Sequence, residues 1–584
     1  MMRFKIWGIM ISLLITTLLQ AQTIKYVRTG GNDNNAGNSW ANAYRTVRKA
    51  LSDAAPGTQI WIAAGTYYPD EGPGATNNDR HLNFAIKAND IGIYGGFAGS
   101  ETALSQRNLS LNVTTLSGEI QQDGLANNNA YNVVRADLYL TGLVLNGLTI
   151  TGGHANFTSD NPNLNKVHSG AVFFQLVTFQ LQDCIFRANY AEAGGVMLIN
   201  QSSGVIRNCV FQNNQAVRAG ALYNLGSNNR TTDIINCIFT GNQAANDGGA
   251  VFCGSDLFKL TNCLFYENSA NAGAAIFNIF NAMPVTNCII RNNGNSPVSW
   301  NNTKPSMQHC ITDFETNDNS DIVLNVDPGF INAAAGNFRL TNCSVAINRG
   351  TNAGVPTTDM EGLPRIMFGQ CDIGPYEYRA APPRLQLYVD KTKNGDGTSW
   401  SNAFRNLQDA LKFANECLTV QQIWVAGGTY YPDEGMGLVN NDRILAFSGR
   451  KFLEVYGGFA GNETSVAQRN LNNAAQKTIL SGNITQSPWD NTFSYHVFRA
   501  TVIDKTFVLD GFTIRDGYAS EVFDEIYSKG GGICLVNAGN PIFRNCTIER
   551  NFGLEAGALF VKNSTPQFIN CVFTANRYLL GGVV

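Results

Sequence analysis

The residues best suited to chemistry in this sequence lie in two polar stretches that each occur twice. Tyr-Tyr-Pro-Asp-Glu-Gly stands at 67–72 and 430–435, and Asn-Asn-Asp-Arg stands at 77–80 and 440–443. Carboxylates and guanidinium groups beside aromatic rings could form a site for a sugar or a cation. The alternative, which these residue types favour, is a loop held by its own turn hydrogen bonds and salt bridge. The candidate binding residues are Tyr67, Asp70, Glu71, Asp79 and Arg80, with Tyr430, Asp433, Glu434, Asp442 and Arg443.

The sequence gives weaker evidence for catalytic residues than for these binding residues. The nearest approach to the Gly-His-Gly pattern of polygalacturonase-like hydrolases is Gly152-Gly153-His154, but the second copy has Asp516-Gly517-Tyr518 there. A lyase needs a base, and Arg135 and Arg499 recur at matching positions. A single Arg on a strand is more often packed or paired than catalytic. We therefore assign no catalytic residue, and we keep enzymatic activity only as an alternative.

Acidic Gly/Asn loops are the remaining candidates for ligand binding. The stretches 30–37 and 393–397 could hold Ca²⁺, but they lack the regular Asp spacing of a calcium loop. We expect no other cofactor, and we assign no metal ligand.

A long internal repeat sets the domain organisation. Residues 24–222 reappear as 386–584, at an offset between 360 and 364. This predicts a first domain at 23–379, a linker at 380–385 that contains Pro382 and Pro383, and a second domain at 386–584. The two prolines favour extended backbone, so we expect two separate rods. The second copy ends where the first continues, so we expect a fragment of a longer protein whose second domain is truncated.

A shorter repeat inside each copy predicts the fold. Five cysteines are spaced by 25, 28, 26 and 25 residues, and each begins a similar phrase. The phrase is Cys-apolar-Phe-x-x-Asn at the first four, where a Gly-rich phrase follows, and Ile290 takes the place of Phe at the fifth. Such a period built of short alternating runs is typical of a stacked solenoid of strands. The prediction is an all-β, right-handed parallel β-helix in which Cys and Phe point inward and the thiols stay unpaired. The cysteines are Cys184, Cys209, Cys237, Cys263 and Cys288.

The beginning of each copy has a different pattern. Residues 44–51 and 404–411 are helix-like, and each run precedes a strand pattern at 59–63 or 422–426. The open end of a β-helix exposes unpaired backbone and apolar core. We therefore expect a short N-terminal capping helix in each copy.

These motifs resemble known surface proteins. The Phe-x-x-Asn and Gly-Gly-Ala repeats resemble those of chlamydial polymorphic outer-membrane proteins, which are adhesins. The opening residues Tyr26 to Leu51 resemble the entrance of secreted pectin-lyase-like β-helices. The phrase at 371–378 looks like the closing motif of bacterial β-helix proteins with interchangeable C-terminal anchors. The resemblance implies a right-handed parallel β-helix at a cell surface, and it is weak for activity.

Composition and charge narrow the function further. The net charge is -3 and 15% of the residues are charged, which argues against nucleic-acid binding. Arg3 and Lys5 precede an apolar run at 6–19, which predicts a signal peptide at 1–22 and no later transmembrane segment. We expect a monomer that is secreted or attached to the bacterial surface or outer membrane, non-enzymatic, and adhesin-like or in contact with a polysaccharide. The alternatives are a lyase or hydrolase of an acidic polysaccharide, and a rigid spacer.

Overall fold

The computed structural model describes residues 23–137, 139–156, 169–192, 195–226, 230–254, 257–279, 282–314, 323–380, 385–487, 492–521 and 526–579. The predicted signal peptide, both linker prolines and the last five residues lie outside these ranges. The chain divides into two compact units. The first unit runs to Val326 and includes Gly350–Ile366 and Ile373–Tyr376, whereas the second contains Asp327–Arg349, Met367–Asp372 and Glu377–Val584.

The first unit is built from parallel sheets in which each strand comes from a successive coil. Sheets A and B each contain ten strands, and hydrogen-bonded neighbours run parallel. In stacking order, sheet A contains Ile24–Val27, Gln59–Ala63, Gly92–Phe97, Leu143–Asn146, Thr178–Gln182, Ser203–Arg207, Thr231–Ile235, Leu257–Thr261, Pro284–Thr286 and Ser306–Gln308. Sheet B contains Gly65–Tyr67, Thr114–Ser117, Leu148–Thr151, Ile185–Arg187, Val210–Gln212, Ile238–Thr240, Leu264–Tyr266, Ile289–Arg291, Ile311–Thr312 and Val323–Leu324.

The first unit has two further parallel sheets, which contain eight and four strands. Sheet C contains Phe84–Ile86, Val134–Ala136, Val172–Gln175, Met197–Asn200, Leu222–Leu225, Val251–Cys253, Ile276–Asn278 and Val298–Trp300. The short sheet D contains His154–Ala155, Tyr190–Ala191, Gln215–Arg218 and Gln243–Asp247, between sheets B and C along the chain. The chain therefore runs A, B, D, C in the coils that have all four strands, as a parallel β-helix requires.

The second unit repeats this order with four parallel sheets. Sheet A′ contains Gln386–Val389, Gln422–Ala426, Leu453–Phe459, Phe507–Asp510, Ile542–Arg544 and Gln567–Ile569. Sheet B′ contains Gly428–Tyr430, Thr478–Ser481, Phe512–Arg515, Thr547–Glu549 and Val572–Thr574. Sheet C′ contains Phe498–Ala500, Ile533–Gly539 and Leu559–Ser564, and sheet D′ contains Tyr518–Ala519, Phe552–Gly553 and Arg577–Tyr578.

The core of the first unit contains columns of identical side chains in register. Alternation along each strand turns every second side chain inward. Phe186, Phe211, Phe239 and Phe265 are fully buried, and their rings stack with centroids 4.7, 4.9 and 4.7 Å apart. The five repeated cysteines are buried and unpaired. Both predictions from the short repeat are confirmed.

Asparagines form the corners of the coils. The residue before each repeated cysteine has φ near +50°, as at Asn208 (53°) and Asn236 (52°), a conformation that Asn tolerates. A second column is a buried amide ladder, in which Nδ2 of Asn189 donates to Oδ1 of Asn214 (3.1 Å) and Asn214 donates likewise to Asn242 (3.0 Å). The ladder fixes the spacing of adjacent coils and satisfies polar groups inside the corner.

One α-helix overlaps each of the helix-like runs at 44–51 and 404–411, with its bounds shifted towards the C-terminus. Val47–Ser52 begins after Thr46, whose hydroxyl accepts from Lys49 N, and Leu407–Glu416 is the longer counterpart. Their apolar faces, including Val47 and Leu411, belong to the two hydrophobic cores. Short 3₁₀ helices occupy Leu104–Gln106, Ala126–Asn128, Ala333–Ala335, Trp400–Asn402, Val466–Gln468 and Ala474–Gln476.

The carboxylates of the predicted closing motif at 371–378 accept hydrogen bonds from backbone N–H groups. Asp372 accepts from the backbone N–H of Asn348 (2.7 Å) and Tyr378 (2.6 Å), and Glu377 accepts from that of Met367 (3.0 Å). Nearby in the chain, Phe330–Asn332 pairs antiparallel with Asn337–Leu340, and Ile366–Met367 and Gln370–Cys371 form a two-stranded sheet. These carboxylates therefore hold the backbone of the closing segment in place.

One disulfide was missed by the repeat argument. Cys343 and Cys417 are bonded, with Cα atoms 4.5 Å apart. Both belong to the second unit, and Cys417 follows the helix Leu407–Glu416 directly. The pair lies outside the 25-residue period, so spacing gave no sign of it.

Candidate functional site

The candidate residues lie on one side of each unit, where the chain passes from sheet B to sheet C. We call this the loop face. In the first unit it comprises the loops 68–83 and 118–133 and the described parts of 152–171. In the second unit the equivalent loops begin after Tyr430, Ser481 and Arg515. Successive coils place these loops side by side.

Arg80 ties three loops of the first unit together. Its Nε donates to the carbonyl of Asn129 (2.6 Å), and its Nη2 donates to the carbonyl of His154 (3.2 Å) and to Oδ1 of Asn156 (2.7 Å). The guanidinium also stacks on the ring of Tyr131, 4.1 Å from its centroid. A guanidinium has several donors in a fixed plane, so one side chain can hold three segments.

Arg443 does the same in the second unit. It donates to the carbonyls of Phe493 (2.8 Å) and Tyr518 (3.3 Å) and to the hydroxyl of Ser520 (3.0 Å). It lies over the ring of Tyr495 at 4.1 Å. The two arginines therefore organise the loop face in each unit.

The carboxylates of the same stretches form turns. Asp79 and Asp442 accept from the backbone N–H two residues on, at 2.9 and 3.0 Å. Asp70 and Asp433 are 4% and 5% exposed, and each accepts from a backbone N–H eight residues on, at Asn78 or Asn441. In both, Oδ1 is buried without a protein hydrogen-bond partner. The aspartates are thus alike in the two units.

The first tyrosine of each stretch belongs to the core. Tyr67 and Tyr430 are 3% and 1% exposed, and their hydroxyls donate to the carbonyls of Ala63 (3.0 Å) and Ala426 (3.1 Å). Burial raises the pKa of both phenols. Neither ring presents a face to solvent, so Tyr68 and Tyr431, which follow them and are half-buried, are the accessible aromatics.

The glutamates differ between the copies. Glu71 pairs with Arg45 at 3.2 Å, whereas Glu434 pairs with Nζ of Lys391 at 2.9 Å. Burial raises the pKa of Tyr68, and the carboxylates of Glu119 and Glu71 add to that rise. Acidic groups from two loops therefore surround one accessible ring.

Half-buried rings also line sheet D. His154 stacks on Tyr190 with centroids 4.6 Å apart, and at the equivalent place Tyr518 stacks on Phe552 at 4.5 Å. Burial and the neighbouring Arg80 lower the pKa of His154, and Glu192 opposes them. The imidazole therefore packs against Tyr190 as an aromatic ring.

The other residues weighed for chemistry have structural partners. Asp33 accepts from Arg45 N, Thr46 N and the Thr46 hydroxyl at 2.9, 2.9 and 2.8 Å. Arg135 pairs with Asp137 at 2.9 Å, and Arg499 donates to the hydroxyl of Tyr527 at 2.9 Å. Within the described ranges, no group of three His, Cys, Asp or Glu side chains is placed to hold a metal ion. Calcium binding stays a prediction without a ligand set.

Comparison with known proteins supports the fold. A family model described as right handed beta helix region matches residues 472–584, and the Chlamydia polymorphic membrane protein repeat matches residues 236–254. The chain is thus a right-handed parallel β-helix with repeats of this type, as predicted. No curated protein sequence matches it.

Three solved structures show low similarity to the chain. The complex of XylC with xylose is 10% identical over 52% of this chain and 70% of its own, with a TM-score of 0.22. Pectate lyase Pel9A is 13% identical over 61% and 96%, with a TM-score of 0.25. The GH136 lacto-N-biosidase from Eubacterium ramulus is 8% identical over 96% and 68%, with a TM-score of 0.21. At such low identities and TM-scores, these similarities do not indicate what this chain binds.

Sequence reasoning found the residues of the loop face and missed their partners. Asn129, His154 and Asn156 lie between 49 and 76 residues from Arg80, and nothing in their spacing marks them. The strands that precede Thr29 and Lys391 align between the two copies. Comparing the copies could therefore have shown that Lys391 in the second stands where Thr29 stands in the first.

Proposed function

We propose that this protein is a non-enzymatic cell-surface β-helix that contacts polysaccharide through the loop face. The observation that supports the proposal most is the repeated use of one arginine to hold three loops, at Arg80 and at Arg443. Loops held in this way keep half-buried rings at fixed positions, which lowers the entropy cost of binding.

The chemistry of the loop face suits sugars. Half-buried rings at Tyr68 and Tyr190, and at Tyr431 and Tyr518, offer apolar surface, while neighbouring carboxylates accept hydrogen bonds from hydroxyls. The carboxylates Glu71 and Glu119 near Tyr68 favour a neutral or cationic saccharide over a polyanion.

The location at a cell surface follows from the predicted signal peptide and from the resemblance to surface β-helices. None of the helices in the described part of the chain has the length and apolar character needed to cross a bilayer. An adhesin-like role, a monomeric state and a surface location belong to this proposal.

A glycan array probed with the mature chain tests the proposal, followed by calorimetric titration of the best ligand. Tyr68→Ala and Tyr190→Ala should each weaken binding about tenfold, because accessible aromatic anchors carry much of the energy of such contacts. Arg187→Ala, exposed on the outer face of sheet B, is the matched control and should leave affinity unchanged.

The same ligand incubated with the protein separates binding from catalysis. We expect no release of reducing ends or unsaturated uronates. Turnover that Tyr68→Ala abolishes would favour a lyase or hydrolase, and binding equally strong in all three variants would remove the loop face as the site.

A further inference from the structure

Beside the two Tyr-Tyr-Pro-Asp-Glu loops, Arg28-Thr29 in the first unit stands where Asp390-Lys391 stands in the second. The residue of interest is Thr29 in the first unit and Lys391 in the second. Thr29 lies three residues after Tyr26, and Lys391 lies three residues after Tyr388. Tyr26 pairs with Trp61 of the adjacent strand as Tyr388 pairs with Trp424. The backbone of Thr29 approaches the phenol of Tyr67 as that of Lys391 approaches the phenol of Tyr430. The two residues therefore occupy equivalent places.

In the second unit the ammonium of Lys391 is held by three groups. Its Nζ donates to the carbonyl of Thr429 at 2.5 Å and pairs with Oε2 of Glu434 at 2.9 Å. It also lies 4.5 Å from the centroid of the Tyr431 ring. A carbonyl, a carboxylate and an aromatic face together are the surroundings that an ammonium favours.

The first unit has the same three groups without the ammonium. Thr66, Tyr68 and Glu71 belong to the stretch 66–72, whose sequence is identical to that of 429–435. In both units the hydroxyl of the buried tyrosine in this stretch donates to a carbonyl four residues earlier. Thr29 is exposed and carries no charge.

The present partner of Glu71 is weak. Glu71 pairs with Arg45, whose side chain is 47% exposed, and ion pairs of that kind contribute little and exchange readily. The second unit also has an arginine at the equivalent place, Arg405, and it too is exposed. The carboxylate of Glu71 is therefore available to an incoming cation.

We infer that the first unit binds an external ammonium group beside Thr29, and that the ligand is a protonated amino sugar of a polysaccharide. This inference rests on the proposed glycan contact and names its substrate class. The ammonium takes the place that Lys391 occupies in the second unit, over the ring of Tyr68 and against Glu71. The second unit is closed to such a ligand because its own lysine fills the site.

Exchanging the two residues tests the inference. Thr29→Lys supplies the first unit with its own ammonium, and Lys391→Thr removes it from the second. Each change introduces the residue that the other unit already has at that place, and unchanged thermal unfolding would show that both variants fold. The probes are a glucosamine oligosaccharide with free amines and its fully N-acetylated counterpart, titrated by calorimetry at a pH where the amines are protonated.

The expected result is a change in stoichiometry. Wild-type protein should bind the free-amine oligosaccharide at one ammonium-dependent site, Thr29→Lys at none and Lys391→Thr at two. The N-acetylated oligosaccharide should bind about tenfold more weakly, because it lacks the charge that the ring and the carboxylate recognise.

Three other outcomes would each overturn part of the account. Equal binding of both oligosaccharides by every variant would refute the ammonium site and leave glycan contact standing. Failure of both oligosaccharides, with a lysine-rich peptide bound by wild type and lost in Thr29→Lys, would refute the amino sugar as ligand. Failure of all probes, together with a blank glycan array, would refute the proposed function itself.

Discussion

Replacing Arg80 by Ala should loosen the loop face of the first unit and leave the second unchanged. Arg80 donates to two backbone carbonyls, to an amide oxygen and, at 3.4 Å, to the hydroxyl of Tyr131, and it stacks on the Tyr131 ring. Hydrogen bonds from a charged donor contribute about 1.5–3 kcal/mol each, and the contributions of one side chain are not additive. Asn129, whose carbonyl would lose its partner, is 5% exposed. We expect the local free energy of opening to fall by about 2–4 kcal/mol.

Amide hydrogen exchange measures this change at single residues. The N–H of Tyr131 donates to the carbonyl of Arg80 and that of His154 donates to Ala130, at 2.9 and 2.8 Å. Neither bond uses the arginine side chain, so both amides report on opening of the loops. Their protection should fall roughly 30- to 1,000-fold in Arg80→Ala, following the conversion of tenfold per 1.4 kcal/mol.

The second unit is a built-in control. The amides of Tyr495 and Tyr518 make the equivalent bonds, to Arg443 and Ser494 at 2.9 and 2.8 Å. They should keep their protection in Arg80→Ala and lose it in Arg443→Ala. Unchanged protection at Tyr131, or equal loss in both units from one substitution, would refute the idea that these arginines hold the loops.

Three further predictions concern the core and the histidine. Phe211→Ala should lower the free energy of unfolding, measured in urea, by about 3–5 kcal/mol, because the ring is fully buried between two other phenylalanine rings. A decrease below about 1 kcal/mol would contradict the stacked core. Burial raises the pKa of the Cys209 thiol, so iodoacetamide should modify the half-buried Cys571 before Cys209 in the native protein. Early alkylation of Cys209, detected by peptide mass spectrometry, would contradict this. In the folded protein the pKa of His154 is below its ordinary 6.5, so the unfolded protein binds a proton at this residue more readily than the folded protein does. The melting temperature should therefore fall as the pH drops below 6.5. His154→Tyr, which copies Tyr518, should remove that part of the pH dependence, and an unaltered profile would show that His154 is not its source.

The coils could be predicted from the sequence because each position of the short repeat has one physical role. Phe211 points inward in the strand that directly follows Cys209. Asn214 reaches its equivalents in adjacent coils only if the strands are parallel and stacked. Local alternation and a fixed period carry this information.

The position of the loop face could be predicted from the sequence, but the contacts that hold its loops together could not. The stretch at 77–80 is visible because it is duplicated, yet the partners of Arg80 come from two later coils with no shared spacing. The prediction of Tyr67 as a binding residue is wrong, because its ring is buried in the core and its hydroxyl donates to the carbonyl of Ala63. Cys343 and Cys417 meet through tertiary packing, which a repeat argument does not reach.

The most direct test of the central claim is a calorimetric titration of the best array ligand into wild-type protein and into Tyr68→Ala/Tyr431→Ala, with turnover followed in the same samples. The account predicts saturable binding by wild type, at least about tenfold weaker binding by the double variant, and no product in either. Undiminished binding by the double variant would contradict the loop face as the site, and product formed by wild type alone would contradict a non-enzymatic function.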